Sequence, residues 1–198
     1  MANDNTPFGL RPVEYLNGAP WNGQARKYYI PSANGSAFAI GDPVEIGGSA
    51  DANGVASVVL ATPGGGITGV VVGMGGMKYG GFSGDPDSLG TIVIPATKTK
   101  DYYVMVVDDP FVVFEVQEIG TGTALTAAEV GLNANLVAGT NNGYVSGWLL
   151  TNTTEATTDT LDCKLLGLVQ RHNNAFGAYA KWKVLLNNHT YRTGITGV

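Results

Sequence analysis

The sequence predicts an all-β protein, built as a jelly roll or as a β-barrel or sandwich, with an extended N-terminal arm and one short helix. Glycine supplies 29 of the 198 residues, roughly twice its average share. Charged residues make up 14% of the chain, against about 25% in typical soluble domains, which argues against a helical bundle or coiled coil. Short runs of β-branched and aromatic residues recur about every ten positions between turn residues, and this spacing is typical of sandwiches and barrels.

Residues 1–30 form the predicted arm, because prolines recur through it at positions 7, 12 and 20. Each proline fixes its own φ and pushes the preceding residue into an extended conformation. Two interpretations stay open: a strap that packs on its own domain, or an arm that lies on a neighbouring subunit. For the second, the residues expected to bind the partner are Phe8, Leu10, Arg11, Trp21, Tyr28 and Tyr29.

Residues 31–186 form the predicted β domain, and residues 187–198 a polar tail that frays or docks on a partner. The sequence also predicts one helical turn at Thr126–Glu129, a capping box in which the threonine and glutamate side chains satisfy free backbone amides. Gly131 then ends the turn. The predicted strands, one of them at the end of the arm, cover residues 27–30, 37–40, 44–46, 55–61, 67–72, 91–95, 102–107, 111–119, 163–169 and 180–186.

One glycine motif invites a nucleotide-site hypothesis. Residues 64–69 match G-x-G-x-x-G, and Asp85 follows about twenty residues later, at the distance of the ribose-binding acid in dinucleotide folds. That site needs the motif to open a helix, but strand-like sequence follows here. The sequence therefore predicts a glycine-rich hairpin and no cofactor.

The other reactive side chains are assigned structural roles. Asp42, Asp85 and Asp109 each precede a proline, and aspartate at such positions caps turns through its side chain. His172 and His189 stand in polar stretches predicted to be turns, without the companions of a zinc site. We expect Cys163 to be a small core residue. The sequence thus predicts no metal, no catalytic residues and no enzymatic activity.

The charge balance and the search for targeting signals restrict the classes of partner that we expect. The chain has 11 basic and 16 acidic residues, a formal net charge of −5, whereas nucleic-acid binding usually rests on a positive surface. No apolar run approaches the roughly 20 residues that cross a membrane, and the first residues lack signal-peptide features. We therefore expect no nucleic acid or membrane partner, and synthesis in the cytoplasm.

Both ends of the sequence resemble small structural proteins of tailed bacteriophages. The similar blocks are residues 2–13, 18–24, 28–32, 41–44, 166–169, 174–178 and 186–189. The resemblance implies a head cement or decoration protein: a β-barrel or jelly-roll domain on the capsid exterior that clamps neighbouring major capsid protein subunits. It further implies a virion location, self-association as a dimer or trimer, and no enzymatic activity.

Two other functions stay open at this point. The chain is alternatively a tail or fibre module that touches host glycans, with Trp148 and Trp182 as a sugar platform, although both are expected more readily in the core. The other hypothesis is a cell-wall hydrolase that uses Asp108 or Asp109.

Overall fold

The computed structural model describes residues 3–74 and 92–192, and the regular secondary structure of this part of the chain is almost entirely β. This confirms the predicted fold class. The fourteen strands of the described residues are β1 Arg11–Tyr15, β2 Arg26–Ile30, β3 Phe38–Ala39, β4 Pro43–Ala50, β5 Ala56–Leu60, β6 Gly69–Met74, β7 Val93–Ile94, β8 Tyr102–Val107, β9 Val112–Gln117, β10 Asn133–Ala134, β11 Leu136–Val137, β12 Leu149–Leu150, β13 Cys163–Leu168 and β14 Lys181–Leu186.

The predicted helical turn is confirmed as a 3-10 turn at Ala127–Glu129. Thr126 is its N-cap, and both hydrogen bonds of the capping box are present. The Thr126 hydroxyl accepts from the Ala128 amide at 3.3 Å, and the Glu129 carboxylate accepts from the Thr126 amide at 2.6 Å. The turn is short because Val130, its C-cap, is already extended.

Five strands close into a barrel in the order β2-β5-β4-β6-β8. All neighbours are antiparallel except β2 and β5, which meet in parallel at Tyr29 and Ser57. Closure leaves no free strand edge. The barrel interior is a compact apolar core, with Phe38 and Ile94 contributed by the small β3-β7 ladder.

A second, open sheet has the order β1-β9-β14-β13-β10, and every pair is antiparallel. Its inner face carries the larger hydrophobic core, which includes Phe114 from β9 and Trp182 from β14. Leu136 and Leu150 of the small β11-β12 ladder complete that core.

Strands β6 and β8 belong to both cores. Val70 pairs with Val107, and the next residues, Val71 and Val106, pair with each other. Because successive strand residues point to opposite faces, Val71 and Val106 enter the barrel core while Val70 and Val107 enter the larger core. This pair of strands is the wall between the two cores.

The N-terminal segment packs on its own domain, as in the strap interpretation. The Asn3 side chain donates to the Ala175 and Ala178 carbonyls, and the Thr6 amide donates to Gln117 at 2.9 Å. Strand β1 then joins the open sheet, and β2 joins the barrel. The sequence did not predict β1, nor the two-residue strands β10, β11 and β12.

The glycine-rich segment at residues 64–69 is a connection and not the predicted hairpin. Strands β5 and β6 both pair with β4, on its two sides, so they do not pair with each other. The segment is held from outside the barrel, because the buried Asp162 carboxylate accepts the Gly64 amide at 2.9 Å. Asp85, the other half of that hypothesis, lies outside the described residues.

His189 lies beside the turn predicted around it, but its side chain is fully buried. The chain around it pairs with Ile67: the Ile67 amide donates to the Asn188 carbonyl at 2.8 Å, and the Thr190 amide donates to the Ile67 carbonyl at 2.9 Å. Imidazole Nδ1 accepts from the Tyr191 amide at 3.1 Å, and Nε2 is buried without a hydrogen-bond partner among the described residues. Burial lowers the pKa of His189 from 6.5 to about 4, against the opposing effect of Asp108.

Gly69→Ala should destabilise the shared wall. A Cβ at this position would stand 2.2 Å from the Val107 carbonyl oxygen, and overpacking a rigid site costs about 1–3 kcal/mol. We expect a loss of that size in the free energy of unfolding, measured by urea denaturation. Gly35→Ala is the matched control, since nothing lies within 4 Å of its added Cβ. Equal losses in the two variants would contradict the steric explanation.

Acidification should unfold the protein partly through His189. The unfolded histidine takes up a proton near pH 6.5 but the folded one only near pH 4. Stability is therefore lost as the pH falls through this window, by up to about 3 kcal/mol from this group. Urea denaturation across the window should show a shallower loss in His189→Gln than in the wild type. His172→Gln, which changes an exposed histidine, should keep the wild-type slope, and identical slopes in all three would refute the assignment.

Candidate partner-binding surface

The chain reverses direction immediately after β1 and folds back on it; we call residues 11–21 the β1 hairpin. The Tyr15 amide donates to the Ala19 carbonyl at 2.7 Å, and the Trp21 amide donates to the Val13 carbonyl at 3.2 Å. Gly18 has a φ of +86°, a conformation that a glycine adopts without strain. The reversal covers the outer edge of β1 and places Leu16 at its tip.

The loop between β8 and β9, residues 108–111, lies against this tip. The Asp109 carboxylate accepts the Phe111 amide at 2.8 Å through Oδ1, which confirms the turn-capping role predicted for Asp109. The Leu16 amide donates to the Phe111 carbonyl at 2.8 Å. Two short loops are thus joined by a backbone hydrogen bond, yet their apolar side chains face solvent: Leu16 is 49% exposed and Phe111 53%.

Beside these side chains lies a groove of about 470 Å³, which we call the hairpin groove. Ligand sites typically span roughly 300–1,000 Å³ and are mostly apolar with a few polar groups. The groove has this character, since three large apolar side chains line it beside one amide and one carboxylate. Its lining residues are Tyr15, Leu16, Asn17, Asp109 and Phe111.

An adjoining cavity of about 310 Å³ shares Tyr15 and Asp109 with the groove, and we call it the acidic cleft. Asp108 in this cleft accepts from the Tyr28 hydroxyl at 2.7 Å and pairs with Arg26 at 3.4 Å. Burial, the hydrogen bond with the Tyr191 hydroxyl and the hydrogen bond to Asp108 raise the pKa of Tyr28, so its hydroxyl stays protonated. Asp108 is therefore already compensated, whereas Asp109 presents its carboxylate to solvent.

Tyr28 connects Asp108 of the acidic cleft to the C-terminal segment through two hydrogen bonds. Tyr28 is bonded to both Asp108 and Tyr191, the latter at 2.9 Å, so its oxygen is fully engaged. His189 is buried with its ring 6.0 Å from that of Tyr191, and it forms no hydrogen bond with either hydroxyl in the described part of the chain. The described residues contain no group of three or more His, Cys, Asp or Glu side chains that could hold a metal ion.

Three of the six residues predicted to bind a partner are engaged in contacts within their own chain. Leu10 belongs to the larger core and Tyr28 to the barrel core, both almost fully buried. Arg11 forms an ion pair with the buried Glu115 carboxylate, which also receives Arg171. A buried carboxylate requires such partners, so the guanidinium of Arg11 has a structural task.

The other three predicted residues are half-buried. Phe8 lies under the Arg11 guanidinium, 5.0 Å from it to the ring centroid. Trp21 packs against the larger core and donates its indole N–H to the Gln24 carbonyl at 3.3 Å. Tyr29 contacts the Tyr103 ring at 5.7 Å between centroids. None of the six lines the hairpin groove.

The structure also places the residues of three further assignments made from the sequence. Trp148 and Trp182 are buried, at 3% and 0% exposure, so they form no exposed sugar platform in this fold. Cys163 is fully buried, which confirms its place in the core, and burial raises the pKa of its thiol. Asp108 and Asp109 of the hydrolase hypothesis both line the acidic cleft.

Sequence reasoning missed the exposure of Phe111 at the groove. It stands in the segment Phe111–Val116, which is rich in β-branched and aromatic residues and of which Val112 to Val116 are buried. Hydrophobicity alone does not separate Phe111 from the buried apolar residues that follow it. The signal that marks it is local: it follows Asp109-Pro110, and the turn at that dipeptide holds it outside the sheet.

Comparison with known proteins assigns no family to this chain. In the described part of the chain, no helix has the length and apolar character needed to cross a membrane. No family model, curated protein sequence or solved structure matches this chain.

Proposed function

We propose that this chain is a structural virion protein that binds the outside of a phage capsid shell and clamps neighbouring major capsid protein subunits. The proposal combines the resemblance of the two chain ends to phage head cement and decoration proteins with the hairpin groove. On this proposal the protein has no enzymatic activity and its site of action is the capsid exterior.

The observation that carries the proposal is the exposure of Leu16 and Phe111 on loops that are already fixed. A hydrogen bond joins the two loops, and each loop has its own internal hydrogen bond. Large apolar side chains in a well-defined geometry are typical anchors of protein interfaces. Because the loops are ordered before binding, association does not have to order them, which favours affinity.

A clamp of this kind works by multivalency. Once one contact has formed, each further contact to the same shell is effectively intramolecular, so several weak contacts hold strongly together. Self-association as a dimer or trimer multiplies the contacts again. The net charge of −5 suits the outer surface of a shell better than an interior filled with DNA, which repels anions.

The composition of purified particles tests the proposal directly. We expect the protein in mass spectra of intact heads, in a copy number comparable to that of the major capsid protein. A few copies per particle would place it at the tail or portal vertex instead. Absence from purified particles would refute a virion role.

Phe111→Ser should weaken binding to heads by about 2 kcal/mol or more, because it removes an exposed apolar anchor. The free energy of unfolding of the variant should change by only about 0.5 kcal/mol, as is usual for exposed positions. Binding is measured by co-sedimentation with heads that lack the protein, and stability by urea denaturation. Tyr144→Ser is the matched control: Tyr144 is 67% exposed and does not line the groove. Equal binding of both variants and the wild type would exclude the hairpin groove as the contact.

A further inference from the structure

We infer that the hairpin groove and Asp109 together bind a segment of the shell protein in which a large apolar side chain stands beside a lysine or an arginine. This inference rests on the proposed function, because it states which chemical feature of the capsid the surface recognises. The surface has an apolar half and a charged half, and adjacent residues of one partner segment fill them.

The apolar half is the groove between the two loops. Tyr15, Leu16 and Phe111 line it, and its volume of about 470 Å³ lies within the range of sites that enclose a ligand. Burying exposed apolar surface is favourable roughly in proportion to its area. An aromatic or long aliphatic side chain covers the exposed faces of Leu16 and Phe111 at once.

The charged half is Asp109, which lines both the groove and the acidic cleft. Its Oδ1 accepts the Phe111 amide, and the described residues place no ion-pair partner on the carboxylate. Asp108 beside it differs, since Arg26 and Tyr28 compensate that charge. A cation on the partner therefore meets Asp109, and the two form a charge-assisted hydrogen bond next to a desolvated apolar contact.

The charge of the whole molecule acts in the same direction. At a net charge of −5, the protein attracts a cationic segment and repels an acidic one, which governs association rate and partner choice more than affinity. A neutral apolar segment fills the groove but leaves Asp109 partly desolvated and unpaired. Such an unpaired charge disfavours the wrong partner.

Asp109→Asn isolates the charge. Asparagine keeps the side-chain oxygen that accepts the Phe111 amide, so the loop retains its geometry while the carboxylate charge is removed. We expect binding to purified heads to weaken about tenfold, the loss of about 1.4 kcal/mol, at low salt. The difference should shrink at high salt, where exposed charges are screened.

Glu155→Gln is the matched control, because it removes one negative charge from an exposed side chain outside the groove and the cleft. It should bind heads like the wild type, and thermal denaturation should show all variants folded. Replacing Phe111 with the photo-reactive p-benzoyl-phenylalanine then identifies the partner segment, by cross-linking to heads and mass spectrometry. We expect a segment of the major capsid protein with a lysine or arginine next to the cross-linked site.

The outcomes distinguish a failure of the proposed function from a failure of the inference alone. Wild-type protein that fails to bind heads would overturn both. Heads that bind Asp109→Asn as tightly as the wild type would overturn the inference and leave the proposed function standing. Cross-linking to a second copy of this chain, or to a segment without a basic residue, would also overturn it.

Discussion

The two hydrophobic cores of this protein share a single wall, and the rest of the structure depends on it. Strands β6 and β8 send alternate valines to opposite sides, so the barrel interior and the open sheet are packed against the same two strands. A shift of one residue in their pairing would turn both sets of side chains toward the wrong core. The pairing register is thus held from both sides, and Gly69 permits the close approach that the wall requires.

The terminal segments connect the parts that this wall organises. Residues 3–6 lie over the open sheet and bond to Gln117 and the loop at residues 175–178. Residues 188–190 return from β14 to the barrel and pair with Ile67. These contacts join distant parts of the sequence, and the buried, largely neutral His189 lies at the second of them. Because burial in this contact lowers the pKa of His189, we expect the contact to lose stability in acid.

The proposed binding surface arises at the place where the wall ends. Strand β8 leaves it at Val107, and the chain turns at Asp109 and Pro110 before entering β9 of the open sheet. That turn carries Phe111 outward and meets the tip of the β1 hairpin, whose strand pairs with β9. The pairing of β1 with β9 therefore fixes the geometry of the groove, and its exposed side chains extend from loops that the sheet holds in place.

Local sequence determined much of the secondary structure. The turn residues and β-branched runs located most of the strands of both sheets, and Thr126 and Glu129 located the 3-10 turn, because these preferences act between near neighbours. Strand β1 escaped prediction, since Arg11–Tyr15 has a proline and two charged residues and is a strand only through its pairing with β9. The two-residue strands are likewise set by their partners.

The sequence by itself determined the all-β class, the low charge, the acidic balance and the presence of apolar residues near the N-terminus. Only the tertiary structure decided which of those residues are exposed: Leu10 and Tyr28 enter the cores, Arg11 compensates Glu115, and Leu16 stays in solvent beside Phe111. The physical reason is that exposure depends on strand pairing across about a hundred residues of sequence, as between Tyr15 and Val112. Composition and local pattern carry no information about such distant contacts.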